Sequence, residues 1–165
     1  MAEKKKNLSE NTSFKIANPK EFKIGILVSE WNSAITRNLQ NGAVETLLES
    51  GVPKENILIH TVPGSFELPG AAVMMLEADH MIDAVICLGC IIQGETRHFE
   101  FISQAVANGI TQAAMDYNTP VIFGVLTCDN MQQAEERSGG KHGNKGVEAA
   151  YSCLKMLELE RKLKN

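Results

Sequence analysis

At 165 residues, with 44% hydrophobic and 22% charged residues, the chain has the length and composition of one globular domain with a buried core; disordered, collagenous and coiled-coil readings are excluded for its body. The formal net charge of −4 excludes nucleic acid as the main partner, since a phosphate backbone calls for a basic surface. No apolar run approaches the roughly 20 residues that cross a bilayer, and Met1 to Thr12 lacks the apolar stretch of a secretion signal, so a cytoplasmic protein without a membrane partner is expected.

Residues 1–12, with the basic run Lys4-Lys5-Lys6, read as a flexible polar tail, and residues 13–165 as a single domain. Phe22 to Val28 (FKIGILV) reads as a buried strand. Asn32 and Ser33 are candidate N-caps for the helix that follows, whose stripe Ile35, Leu39, Ala43, Leu47 has helical spacing and which Gly51 stops. Asn56 to Val62 is a second strand, Pro63-Gly64 a turn, and Phe66 to Ala78 a second helix. Ala84 to Cys90 (AVICLGC) is a third strand, apolar throughout as suits a sheet buried on both faces.

Cys87 and Cys90 have CxxC spacing, but residues three apart on a strand point to opposite faces, so they are read as buried, inert thiols and no metal is expected. Nor do four cysteines in a chain this long form a disulfide framework. A loop from Ile91 to Glu95 leads into a long helix from Arg97 to Tyr117, with the stripe Phe99, Ile102, Val106, Ile110, Ala113. Val121 to Leu126 is a fourth strand, Met131 to Arg137 a short helix, and Ser138 to Gly146 a Gly-rich loop. The last helix, Gly146 to Leu163, carries Val147, Ala150, Leu154 and Leu157 on one side. The order β-α-β-α-β-α-β-α-α implies a three-layer αβα sandwich, flavodoxin-like, with a four-stranded parallel sheet in the order 2-1-3-4.

Open parallel sheets bind ligands beyond the carboxyl ends of their strands. Four segments lie there: Ser29 to Asn32, Pro63 to Glu67, Ile91 to His98 and Thr127 to Asn130. Gly94-Glu95-Thr96 precedes a helix, where unsatisfied N–H groups and the macrodipole favour an anion such as phosphate; Thr96 as a plain N-cap is the competing reading. His98 falls in the first turn, where the same partial positive charge disfavours imidazolium and leaves a ring able to accept a proton; a structural role is the alternative. Trp31, the only tryptophan, stands in a polar loop where it either stacks on a heterocycle or packs under the loop. Glu67 suits a helix start on electrostatic grounds alone. Arg137 and Lys145 flank SGGKHGNKG, a loop that either closes over an anion or is a mobile surface segment. No G-x-G-x-x-G follows the first strand, which disfavours a dinucleotide fold.

Taken together, VSEWN at 28–32, VPGSFELP at 62–69, LGCIIQGETRHFEF at 88–101 and NTPVIFGVLTCDNMQQAEERSGGKHGNKG at 118–146 closely resemble the lumazine synthase family, over roughly Phe22 to Leu159. The resemblance implies the penultimate step of riboflavin biosynthesis: 5-amino-6-(D-ribitylamino)uracil condenses with 3,4-dihydroxy-2-butanone 4-phosphate to 6,7-dimethyl-8-ribityllumazine, phosphate and water, without metal or organic cofactor. An amine attacks the ketone to form an imine, phosphate is eliminated, the ring closes and water leaves. It further implies that Trp31 stacks on the pyrimidine, that Ser65, Phe66 and Glu67 hold the ribityl chain, and that Cys90, Ile91 and Ile92 line the pyrimidine edge. By the same resemblance Glu95 and Thr96 offer backbone amides to phosphate, Arg137 binds phosphate with Lys145 in its supporting loop, Phe123 reaches the pyrimidine site of a neighbouring subunit, and His98 transfers protons.

Three positions depart from the family pattern. Glu95 replaces a small residue, so its carboxylate is expected to point away and its amide alone to bind; Gln93 replaces a basic residue; His142 interrupts the Gly-rich loop. Sites built across subunits imply a homo-oligomer, a pentamer as core and an icosahedral shell in some members, with riboflavin synthase as a further partner to test. Ser13 to Ala17 is a candidate strand for a neighbour's sheet. The rival reading is a flavin- or pteridine-binding shell protein with little catalysis, for which neither His98 nor Arg137 is needed.

Overall fold

A computed structural model describes residues 15–164. The expected tail at 1–12 lies outside them, as do Ser13 and Phe14 of the candidate pairing segment; Lys15 to Ala17 forms neither helix nor strand in the single chain.

Four strands, β1 (Ile24–Ser29), β2 (Ile57–Val62), β3 (Ala84–Ile92) and β4 (Val121–Cys128), form one sheet in the order β2-β1-β3-β4, every pair parallel. Among the described residues five α-helices accompany the sheet: α1 (Ser33–Glu49), α2 (Leu68–Ala78), α3 (His98–Tyr117), α4 (Met131–Arg137) and α5 (Lys145–Lys164). The three-layer α/β sandwich and its strand order are those expected from the alternation of apolar periods.

The sheet divides the interior in two. Ile24, Ile26, Val28, Ile86, Leu88 and Cys90 face α1 and α5; Leu27, Val85, Cys87 and Ile91 face α2 and α3. Cys87 and Cys90 thus lie on opposite sides of the sheet, as strand geometry requires. β1 is buried at every position, and β3 at all but its last, because helices cover both of their faces. β2, at the edge, is buried only at Val62.

The helical stripes hold where they meet the sheet. Ile35, Leu39, Ala43 and Leu47 are buried, and α1 ends as expected: Gly51 at φ +95° lets its own N–H reach the Leu48 carbonyl and that of Val52 reach the Leu47 carbonyl. α5 approaches α1 so closely that a Cβ on Gly146 would lie 1.9 Å from the Leu39 carbonyl oxygen, so only glycine fits. Phe99, Ile102 and Val147, read as core, are only half-buried; Phe99 and Ile102 pack against the cluster beneath α2 and α3 from its margin.

Other differences are local. Ile91 and Ile92 extend β3 instead of opening a loop, and Thr127 and Cys128 extend β4, since the two strands continue to pair through Ile91–Thr127 and Ile92–Cys128. A single 3₁₀ turn, Ser65–Glu67, precedes α2. Asn32 occupies the N-cap position of α1 with φ +58°, but its side chain caps nothing. The Gly-rich segment is not a plain loop: β5 (Ser138–Gly140) and β6 (Gly143–Asn144) pair antiparallel as a hairpin.

Candidate active site

The loops after β1, β2 and β3 meet beyond the carboxyl ends of the sheet. The loop after β1 runs beside the one after β2, through bonds from the Glu30 N–H to the Val62 carbonyl (2.8 Å) and from the Trp31 N–H to the Pro63 carbonyl (3.2 Å). Asn32 ties this pair to the third strand by donating from Nδ2 to the Cys90 carbonyl at 3.0 Å. Its left-handed backbone makes that reach possible, and asparagine tolerates the conformation better than most residues. The buried Thr36 hydroxyl closes the start of α1 by donating to the Ser29 carbonyl at 2.7 Å.

Between these loops opens a cleft of about 290 Å³, lined by Trp31, Asn32, Gly64, Ser65, Phe66, Cys90, Ile91, Ile92, His98 and Ile102. Seven residues singled out in the sequence therefore come together within one chain. Trp31 is 73% exposed and Phe66 56%, so the packed-under-the-loop reading of Trp31 fails. Ser65 is the opposite case: it is buried, and its hydroxyl has no hydrogen-bond partner among the described residues. A buried hydroxyl without a partner costs free energy, on the order of 1–3 kcal/mol, that a ligand's polar group restores. Gly89 makes room for it, since a Cβ there would lie 2.4 Å from Ser65 Oγ.

The turn from Gln93 to Arg97 projects into solvent, and nothing lies within 4 Å of the position a Cβ on Gly94 would take. Gln93 folds its amide back over this turn, donating to the Gly94 carbonyl at 2.9 Å. Thr96 Oγ1 accepts from the His98 N–H at 3.3 Å, so Thr96 does satisfy one donor at the start of α3. The partial positive charge of a 20-residue helix faces this exposed turn. His98 opens α3 and reaches the cleft from the exposed side.

The remaining predicted residues lie elsewhere. Glu67 lines a separate, more apolar groove of about 920 Å³ between β2 and α2, together with Phe66, His60, Met74 and Met75. Phe123, in mid β4, is half-buried against the cluster beneath α2 and α3, opposite Cys87. Arg137 ends α4 and donates from Nη1 to the Gln133 carbonyl at 3.1 Å; its charge is felt at the Cys128 thiol, which burial otherwise pushes up. Lys145 opens α5 in an ion pair with Glu148 at 2.8 Å. None of Glu67, Glu95, Thr96, Phe123, Arg137 or Lys145 lines the cleft within this chain.

Cys90 contributes surface and backbone to the cleft, not a nucleophile. Burial, reinforced by the nearby Cys128, pushes its thiol up to about 12, and burial does the same to Cys87. All four cysteines are free and buried. Among the described residues no group of three or more metal-ligating side chains comes together, and no helix is long and apolar enough to cross a membrane. Sequence reasoning passed over Asn32 as a strand tie and Gly89 as the seat of Ser65. Both act through long-range contacts, and only the unusual position of an asparagine just past a strand hinted at the first.

Comparison with known proteins gives a uniform result. The family described as 6,7-dimethyl-8-ribityllumazine synthase matches over residues 21–161. Proteins of that name from Porphyromonas gingivalis and Cytophaga hutchinsonii are 53% and 56% identical to the chain, over 94% and 95% of its length and 96% and 98% of theirs. The one from Flavobacterium johnsoniae is 50% identical over 98% of the chain and 84% of its own length.

Proposed function

Because this chain belongs to the 6,7-dimethyl-8-ribityllumazine synthase family, and is thereby a transferase of riboflavin biosynthesis, we propose that its cleft at the carboxyl edge of the sheet is where the two substrates condense. These are 5-amino-6-(D-ribitylamino)uracil and 3,4-dihydroxy-2-butanone 4-phosphate. The convergence of Trp31, Ser65, Phe66, Cys90, Ile91, Ile92 and His98 on one opening carries the reading.

Trp31 offers an open aromatic face to the pyrimidine, and the end of β3 from Cys90 to Ile92 supplies its edge. The unpartnered Ser65 hydroxyl suits a ribityl oxygen, with Phe66 beside it and Glu67 further out. Phosphate is held by the Glu95 and Thr96 amides at the start of α3 and by Arg137, with Lys145 supporting the loop. His98, between the two halves, takes the proton released as the amine attacks the ketone and returns one as water leaves. Proximity and electrostatic placement supply most of the acceleration, since the amine is itself a nucleophile. Proton transfer by His98 adds about 10²–10⁴-fold.

Phe123, Arg137 and Lys145 stand outside the cleft of their own chain, which supports a homo-oligomer, with a pentamer as its unit, in which a neighbour completes each site. The apolar groove beside the edge strand β2 is in keeping with such a neighbour. We read the location as cytoplasmic, and riboflavin synthase as the protein that takes the product onward.

Incubation with both substrates tests the reading. Lumazine formation well above the uncatalysed background is expected, and none above it would sink the proposal; tight riboflavin binding without turnover would favour a binding protein instead. Light scattering on the eluting protein checks the assembly, where a monomer would contradict the shared site.

A further inference from the structure

His142, on the hairpin that separates Arg137 from Lys145, is turned inward. It lies in the two-residue connection between β5 and β6, where Lys141 is exposed and His142 only 6% exposed. Side chains at a glycine-rich tip ordinarily stay in water, and burying an imidazole costs free energy unless its polar atoms meet partners.

Two of its contacts run to one residue, Glu136. The His142 N–H donates to the Glu136 carbonyl at 2.8 Å, and the ring's Nε2 stands 3.5 Å from the Glu136 carboxylate. Gln132 holds the other carboxylate oxygen from one turn back, at 3.3 Å. The last carbonyls of a helix lack donors of their own, so a tip that supplies one fastens itself to the helix end. Gly140 permits the approach: a Cβ there would come within 2.9 Å of the Glu135 carbonyl oxygen and of Glu136 Cα. At the hairpin's other end Asn144 donates to the Asn38 carbonyl of α1 at 2.9 Å and accepts from the Gly146 N–H at 2.8 Å. The hairpin is thus fastened to α4 through His142 and to α1 through Asn144.

We propose that His142 is a positioning residue for the phosphate half of the site: its backbone N–H fastens the tip to the Glu136 carbonyl, and its buried ring, packed 3.5 Å from the Glu136 carboxylate, sets the direction in which the next residue, Arg137, presents its guanidinium. The proposal rests on the reading of Arg137 as the phosphate-binding cation. Arg137 has its own tether to Gln133, so His142 adjusts an existing orientation and does not create one.

Steady-state kinetics on the intact assembly test this, with KM measured separately for the butanone phosphate and for the pyrimidine, and with inorganic phosphate as competing inhibitor. His142→Ala is expected to raise the KM for the butanone phosphate and the inhibition constant of phosphate by about five- to tenfold, leaving the KM for the pyrimidine unchanged. His142→Gln, whose amide nitrogen reaches the place of Nε2, is expected to recover most of the loss. Because His142 acts through Arg137, adding His142→Ala to Arg137→Ala should raise neither constant further. The proposal is overturned by unchanged phosphate constants in His142→Ala, by equal losses for both substrates, or by full additivity in the double variant. If Arg137→Ala itself leaves the phosphate constants unchanged, the reading of Arg137 falls and takes the positioning role with it. Should His142→Ala fail to assemble, His142→Gln and Glu136→Gln carry the same comparison, and a selective rise in the phosphate constants for Glu136→Gln is the result expected.

Discussion

The proposed pyrimidine half and the proposed phosphate half of the site are built from different materials. Trp31, Ser65 and Cys90 to Ile92 stand at or just beyond the ends of three paired strands, and Asn32 cross-ties them. The phosphate half consists of an exposed turn at 93–97 and of Arg137 and Lys145, which stand at the end of α4 and the start of α5, outside the cleft. One half is set by sheet register and follows from the fold. The other depends on side-chain contacts, such as Gln93 with its own turn and His142 with Glu136, and, in the proposed assembly, on a neighbouring chain.

Substitutions sharpen this contrast if each half fails alone. The largest effect is expected from Arg137→Ala, since hydrogen bonds to a charged group contribute about 1.5–3 kcal/mol: affinity for the phosphate substrate should fall roughly 10- to 100-fold, while titration calorimetry finds the pyrimidine unaffected. Equal losses would erase the division. Trp31→Ala is the mirror test. Loss of an aromatic stack worth about 0.5–1.5 kcal/mol should weaken the pyrimidine by about 2- to 12-fold and spare phosphate, and an unchanged pyrimidine affinity rules out stacking.

Gly89→Ala probes rigidity. The added methyl forces the Ser65 hydroxyl aside, so pyrimidine affinity should fall a few-fold with no change at phosphate; crystallography of the variant would show whether Ser65 has moved. The thiols should react hardly at all: with Cys87 and Cys90 up to about 12, the thiolate fraction at pH 8 is on the order of 10⁻⁴, and a chromogenic disulfide should titrate all four cysteines only after denaturation.

The smallest effect belongs to the far end of the sheet, at the Lys23–Asp79 ion pair of 2.5 Å. The hydrogen bond from Lys23 lowers the Asp79 carboxyl below its ordinary 3.8, so the pair's contribution is present above that value and disappears as pH falls through the lowered one. Asp79→Asn should therefore lower Tm slightly at neutral pH and not at all in strong acid, without touching either substrate. A loss of activity would mean that the two ends of the sheet are coupled.

Much of the fold was legible because its signals are local. Apolar runs such as AVICLGC, the stripe Ile35-Leu39-Ala43-Leu47 and the stop at Gly51 each follow from the geometry of a single element. Alternation of strand and helix then leaves few ways to build a parallel sheet. Less legible were the ends: β3 and β4 run on to Ile92 and Cys128 because each supplies the other's partners, which no window of sequence contains. The same applies to SGGKHGNKG, where glycine content speaks for a mobile loop and tertiary contacts make a fastened hairpin.

By itself, then, the sequence determined the element order, the sheet and the four segments at its carboxyl edge, because hydrophobic period and turn chemistry act over a few residues. Only the tertiary structure decided which of those residues share a cleft, that Ser65 is buried without a partner among the described residues while Trp31 stands open, and that His142 faces inward. Each of those facts depends on atoms brought together from distant parts of the chain, where burial and hydrogen-bond geometry, not local preference, set the outcome.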